Sequence, residues 1–436
     1  MSLILAGVAL LVTLTVVLSM LRWSALRRLG LRNLTRRKWN TVLVVVGSMV
    51  GTALISGSLV LNDSTGRFQE NNARQTLGEI DEVVQQAGQR VPSDRRPVPL
   101  FDASVAEEIT PEAVRDLTEP AGDEPGAAGG VVDRISGALG LRSEPVSVDG
   151  VLGVLTGEVP AESLDDAGET LVATPAVTVV GADWKSLGSF GERPPSVAER
   201  PEPGYKEIYA SEKLAERLEL REGSRVHLVG RGGPEEFTVA AVVPEEGISG
   251  YEARFSRAEG TALVGEEDAR GLLGAGEGQV NALFISNEGG VTSGVEDSER
   301  VAEAVQEILA DGEEFQVSQI KKDVIEGGGF KIGDIFLMIS SFAILAGVLL
   351  IINIYTMLAE ERKGELGILR AIALKRAGLV RLLVYEGYAY SLLSSLLGAF
   401  VGLGIAAGLV WGINRAAASF ATLFNRDLTI PFYVEP

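Results

Sequence analysis

Four stretches of the chain carry no charged residue: Ser2–Leu21, Trp39–Leu61, Ile335–Ala359 and Gly387–Asn414. Each is long enough to cross the ~30 Å hydrocarbon layer as a helix. None has the polar stripe of a helix lying on a soluble core. The pattern predicts four transmembrane helices. Between the second and third stretches the periodicity changes. Helical spacing runs through Phe101–Leu117 and Val295–Ala310, with acidic residues on the other face. β-branched runs bounded by Gly, Pro and Asp predict strands at Val146–Leu155, Val172–Val180, Val226–Val229, Phe237–Val243 and Val280–Ile285. Ser211–Leu218 predicts a short helix with Ser211 as N-cap and Glu212 in its first turn. Glu119–Gly130 and Gly191–Gly204 are loops rich in Pro, Gly and acid.

The expected organisation follows. Residues 1–21 form an N-terminal span, 22–41 a basic elbow, and 42–61 a second span. Residues 62–330 form a large mixed α+β domain, and 331–359 the end of a stalk and the third span. Residues 360–386 form a short polar segment, 387–414 the fourth span, and 415–436 a tail. Val317–Lys331 is an amphipathic lead-in to the third span, and Gly327-Gly328-Gly329 must kink or interrupt it.

Charge turns this organisation into a topology. The 436 residues include 59 acidic and 39 basic side chains, for a net charge of −20. That alone suggests an acidic soluble protein, but the mean hydropathy of +0.20 does not fit one. The charges are segregated. Arg22, Arg27, Arg28, Arg32, Arg36, Arg37 and Lys38 follow the first span with no acidic residue among them. Between the third and fourth spans, Arg362, Lys363, Arg370, Lys375, Arg376 and Arg381 outnumber Glu360, Glu361 and Glu365. Residues 61–330 hold 23 basic and 52 acidic residues. By the positive-inside rule both short basic loops are cytoplasmic, and the acidic domain is outside. The first span has no positive charge before it and seven after it, so it reads as an uncleaved anchor with its N-terminus outside; a cleaved signal peptide is the alternative. Arg22–Trp39, interleaved with Trp23, Leu26, Leu29, Leu31 and Leu34, reads as an amphipathic helix on the inner membrane face, or as a plain basic loop.

Candidate chemistry is sparse. The absence of cysteine excludes disulfides, thiolate metal sites and catalytic thiols. The single histidine, His227, sits in an apolar strand pattern and reads as structural. Neither G-x-S-x-G nor H-E-x-x-H occurs. Glu266-Glu267-Asp268 lacks calcium-loop spacing and reads as a solvated acidic face. No catalytic, cofactor or metal residue is assigned, and the chain is not expected to be an enzyme. No G-x-x-x-x-G-K-[ST] loop is present to cradle ATP phosphates.

The segment Glu360–Ala373 is mixed in charge around an apolar stripe of Leu366, Leu369 and Ile372, along one side of a short helix. Such a segment suits docking into a partner's groove; a plain connecting loop is the alternative. The run E-R-K-G-E-L-G-I-L-R-A-I, followed by Arg376, Val380 and Tyr385-Glu386-Gly387, resembles the signature of FtsX-like permeases, the membrane subunits of the MacB, lipoprotein-releasing and FtsX class of ABC systems. Leu31–Lys38 resembles their cytoplasmic elbow. The segments Val179–Gly181, Tyr209–Ala215 and Leu220–Val226 are similar to their extracytoplasmic core domain.

The resemblance implies a permease in the cell membrane of a prokaryote, dimeric with a second permease chain or half. It would sit on a dimer of separate cytoplasmic ATPases that bind the ATP, with lipid around it and no nucleic acid. It implies that Glu361, Glu365, Leu369 and Arg370 couple to the ATPase. Ala373 stands where the family usually has Gly, Ser2–Leu21 is an additional span, and the family's last span would follow Pro436. Gly398 and Gly402, then Gly404, Gly408 and Gly412 on the fourth span, and Gly47 and Gly51 on the second, are candidate helix-packing faces. A membrane-anchored sensor or binding module is the alternative function, and it leaves the 360–373 segment unexplained.

Overall fold

A computed structural model describes residues 2–23, 28, 38–87, 99–119 and 145–310 (apart from 194, 253–255 and 257), then 314–327, alternating positions within 338–360, 363–371 and 376–424. In chain order the elements are α1 (Ser2–Arg22), α2 (Lys38–Leu77), β1 (Glu82–Gln86), β2 (Phe101–Asp102), α3 (Pro111–Thr118), β3 (Val148–Leu164), β4 (Thr170–Ala182), β5 (Glu207–Ser211), α4 (Glu212–Arg217), β6 (Arg225–Gly230), β7 (Gly233–Val243), β8 (Thr261–Val264), α5 (Glu266–Leu273), β9 (Gln279–Val280), β10 (Ala282–Asn287), α6 (Gly290–Ile308), β11 (Phe315–Ser318), α7 (Ile320–Gly327), α8 (Lys363–Ala371) and α9 (Arg376–Phe424). The chain splits into two compact units, Met1–Phe68 with Gly329–Pro436, and Gln69–Gly328.

Among the described residues of the first unit, two helical stretches are long and apolar enough to cross a membrane, Val44–Leu77 and Arg376–Ala416. The first predicted span coincides with α1. The third lies largely outside the described residues, as do most of the elbow and the loop at 120–144. The fourth continues further than expected, since α9 stays helical through Phe424, where a tail was expected.

The second unit is built on a nine-stranded sheet, ordered β11-β1-β10-β3-β4-β8-β5-β7-β6. The seventeen-residue β3 organises it. Its first half pairs with β10 and its last residues with β6 (Ala161↔Leu228 to Leu164↔Arg225), while its other edge pairs with β4. The β3–β6 pairing closes β3, β4, β8, β5, β7 and β6 into a ring. The β3–β4 ladder shifts register between Val159 and Ala161. Pro160 there, and Pro175 opposite, have no N–H to give the ladder.

Alternation along the ring strands feeds two cores. Val177, Val179, Ile208, Ala210, Val226, Leu228, Phe237, Val239, Ala262 and Val264 form one, with Leu214 of α4 and Leu272 of α5. The intervening Val180, Ala182, Tyr209, Ala241, Val243 and Leu263 join Leu77, Ile80, Phe284 and Ile320 in the other. A third core packs α3 and α6 on the open part of the sheet, through Val114, Val301 and Val305 against Val84, Leu283 and Ile285. Helix α5 approaches the ring closely. A Cβ on Gly181 would lie 2.3 Å from the Ala269 Cβ, so only glycine fits there.

The strand expectations near β3, β4, β6, β7 and β10 and the Val295–Ala310 helix match observed elements. Ser211 caps α4 as expected, its Oγ accepting from the Leu214 N–H at 3.3 Å. The predicted Phe101–Leu117 helix is broken. Phe101–Asp102 pairs with β9, and Pro111, capped by Thr110, starts α3 afresh. Asp268 is not solvated. It is 3% exposed, accepts from the Lys206 N–H at 2.8 Å and forms an ion pair with Lys206 Nζ at 2.9 Å. The lead-in to the third span is strand β11 followed by α7, described as far as Gly327.

The entry and exit of this unit meet at one place. Strands β1 and β11 pair antiparallel, Val83 opposite Ser318. Asp81, just before β1, and Lys321, just after β11, form an ion pair at 2.6 Å with both side chains fully buried. Asp81 also accepts from the Asn287 N–H at 3.0 Å. Burial pushes the carboxyls of Glu79, Asp81 and Asp149 up, and that of Glu82 well up; the Lys321 charge pulls the Glu79, Asp81 and Glu82 carboxyls the other way without cancelling it.

Two outcomes are expected. Lys321→Met leaves Asp81 buried and unpaired, costing about 3–5 kcal/mol of unfolding free energy in a denaturant titration of the purified chain. A carboxyl whose pKa is higher folded than unfolded holds its proton more tightly in the fold. Its stabilising contribution is therefore full below the unfolded value and is lost as pH rises through the folded value. Glu259, held low by Arg217, works in the opposite sense and is largely exposed. Glu82→Gln is expected to raise the melting temperature at neutral pH and to flatten its rise on mild acidification.

Candidate functional site: the coupling segment and the membrane helices

The segment after the third predicted span is helical over nine residues, α8. Gly364 and Gly367 weaken a helix by about 1 kcal/mol each relative to Ala, so packing rather than propensity must fix this one. Glu365, Leu366, Leu369 and Arg370 all fall on α8. The side chains of Glu365, Leu366, Leu369 and Arg370, and Glu361 and Ile372 altogether, lie outside the described residues. Ile368, which the predicted stripe omitted, is 63% exposed on α8. Its neighbours in sequence, Gly367 and Leu369, hid it inside a mixed run.

The glycine rows behave differently from one another. A Cβ on Gly398 would lie 1.8 Å from Thr52 Oγ1 and 2.9 Å from Met49 O. One on Gly402 would lie 2.0 Å from Ser56 Oγ and 2.3 Å from Ala53 O. At these two positions α2 and α9 pack backbone against backbone. The hydroxyls reinforce the contact. Thr52 Oγ1 donates to Ser394 O at 3.3 Å, and Ser56 Oγ to Ala399 O at 3.5 Å. In lipid there is no hydrophobic drive between helices, so close approach and such hydrogen bonds, about 0.6 kcal/mol each, supply the cohesion. Gly404 follows Gly402 by two residues, about 200° around the helix, so it starts a row on the opposite face. A Cβ added at Gly404, Gly408, Gly412 or Gly51 would meet nothing within 4 Å among the described residues, and Gly47 is half-buried.

The start of α9 is polar and buried. Tyr385, Glu386 and Tyr390 are 2%, 3% and 2% exposed, and Tyr390 OH donates to Glu386 Oε1 at 3.0 Å. Helix α1 reaches the same place, with Ser19 Oγ 2.5 Å from Tyr385 OH and the Arg381 guanidinium 4.9 Å from the Trp23 ring centroid. The basic end of α1 thus lies beside the basic end of α9. His227, by contrast, is a partly exposed residue of β6, its Nε2 3.8 Å from Glu236 Oε2.

The packing makes a contrast that can be measured. Gly402→Val must push α2 and α9 apart, costing about 1–3 kcal/mol. Gly408→Val is expected to stay within about 0.5 kcal/mol of the parent. Unfolding of the two purified variants in mixed micelles with increasing SDS distinguishes them.

No curated protein matches the chain. Residues 337–434 match the FtsX-like permease C-terminal family. The match takes in α8, α9 and the stretch predicted as the third span, the same region in which the run Glu361–Ile372 resembles that family. Over residues 337–434 this chain is similar to the FtsX-like permease C-terminal family.

Proposed function

We propose that this chain is the permease subunit of an ABC transporter. It couples ATP hydrolysis by a separate cytoplasmic ATPase to movement of its extracytoplasmic domain, for export or for transfer of force across the membrane. The observation that carries this reading is the coincidence of the family match with the E-R-K-G-E-L-G-I-L-R-A-I run and with helix α8. In this reading Glu361, Glu365, Leu366, Leu369, Arg370 and Ile372 dock on the ATPase, and Gln69–Gly328 is the family's core domain outside the membrane. The chain crosses the cytoplasmic membrane four times, and a second permease chain or half completes the assembly.

Two physical facts support the orientation. The acidic majority of the charge lies in residues 61–330, and the short segments beside α1 and α8 are basic. The contacts of Ser19 with Tyr385 and of Trp23 with Arg381 put the basic ends of α1 and α9 together, as a shared cytoplasmic side requires. The sequence has no phosphate-binding loop of its own, so the nucleotide belongs to the partner.

The docking surface is tested by affinity purification of the chain co-expressed with the ATPase encoded beside it. The parent chain is expected to retain the ATPase. Leu369→Asp places a charge in the middle of the apolar contact and is expected to abolish retention. Undiminished retention by the variant would remove α8 from the interface.

A further inference from the structure

Helix α1 has no part in the coupling scheme above, yet it is not left to the lipid. It is fastened to α9 by two contacts in matched register. Ser19 Oγ lies 2.5 Å from Tyr385 OH, and Tyr385 is 2% exposed. Four residues later in the chain from Ser19, and four residues earlier in α9, the Trp23 ring receives the Arg381 guanidinium at 4.9 Å. Residues four apart share a helix face, so the two pairs stack one above the other along a single antiparallel seam.

The chemistry of the seam suits its depth. The indole and guanidinium occupy the end that bears Arg22 on α1 and Arg376 on α9. Trp at an interface holds an apolar ring with a wet edge, and a cation over its face is attracted by the ring quadrupole. One turn further in, the two hydroxyls satisfy each other where little water competes. The two basic ends would repel each other if brought together without such a contact.

Helix α9 is therefore held at two levels. Helix α1 grips it at Arg381 and Tyr385, and α2 grips it further along at Gly398 and Gly402. The grip of α1 lies within three turns of Arg376 in α9, which is five positions after Ala371 of α8.

We infer that α1 is a fixed member of the membrane bundle, clasped to α9 through Ser19–Tyr385 and Trp23–Arg381, and that it moves with the first turns of α9 when the adjoining cytoplasmic segment is displaced. The movement rests on the permease reading. The clasp itself does not.

The chain contains no cysteine, so cross-linking starts from a blank background. The experiment places Ser19→Cys with Tyr385→Cys in the full chain, in membranes, with a protease site inserted between residues 28 and 36 and a short bifunctional thiol reagent. After cleavage, the N-terminal fragment is expected to remain attached at least fivefold more than with Leu11→Cys and Tyr385→Cys. Equal attachment in the two pairs, together with no photocapture in the second measurement, would overturn the clasp. Because the double substitution removes the native contact, benzoylphenylalanine at position 385 with Ser19 intact gives a second measurement. Photocapture of the N-terminal fragment supports the clasp, and its absence together with failed thiol cross-linking refutes it. With the ATPase bound, the linker is expected to change ATP hydrolysis by less than twofold, since the two helices already move together. A tenfold loss would show that they move apart and would overturn the joint movement. A chain that retains no ATPase defeats the permease reading, while the cross-link still decides the clasp.

Discussion

A charged side chain in the middle of a bilayer costs several kcal/mol, and no water is there to satisfy a loose polar group. The apolar helices described in the first unit fit that constraint. The charge-free stretches at Ser2–Leu21 and Trp39–Leu61 become α1 and most of the apolar part of α2, and Gly387–Asn414 becomes the body of α9. The same constraint removes the hydrophobic drive between helices. Cohesion falls instead to the backbone contacts at Gly398 and Gly402, the hydroxyls of Thr52 and Ser56, and the polar seam at Ser19 and Tyr385.

The second unit obeys the opposite solvent. In water, apolar burial is the driving force, and its three cores are the two alternating faces of the ring strands and the layer of α3 and α6. Strand β3 serves all three, because it is long enough to pair with β10 at one end and β6 at the other. The fully buried Asp81–Lys321 pair contributes something different from net stability. Burying two charges costs about as much as their attraction returns, so such a pair chiefly specifies which segments meet. Here it fixes the entry beside β1 to the exit beside β11.

What the sequence discloses depends on how local the physics is. The apolar helices α1, α2 and α9 were legible because about twenty successive apolar residues favour a helix, and α2 and α9 are long and apolar enough to cross a membrane. The Ser211 cap was legible because a side chain reaching a backbone N–H three residues on is a purely local event. The closure of the ring was not, since Ala161 meets Leu228 only after the intervening strands have formed. Short β5 and β8 escaped because four or five apolar residues fit helix or strand equally well. The Asp81–Lys321 pair joins residues 240 positions apart, and Asp268 looked solvated until Lys206 was seen against it. The glycine rows show the limit at the candidate site. Their spacing was plain, but both rows have it, and only the packing reveals that α2 takes the Gly398–Gly402 face. The residues expected to touch the ATPase rest on the family resemblance, which the match over residues 337–434 supports at the level of the domain.

The central claim is that this chain governs the work of a separate ATPase. It is tested most directly by measuring ATP hydrolysis in proteoliposomes that hold the partner ATPase with and without the chain. The account predicts hydrolysis that depends on the chain and rises in proportion to it until the ATPase is saturated. Hydrolysis at the same rate whether or not the chain is present would contradict it.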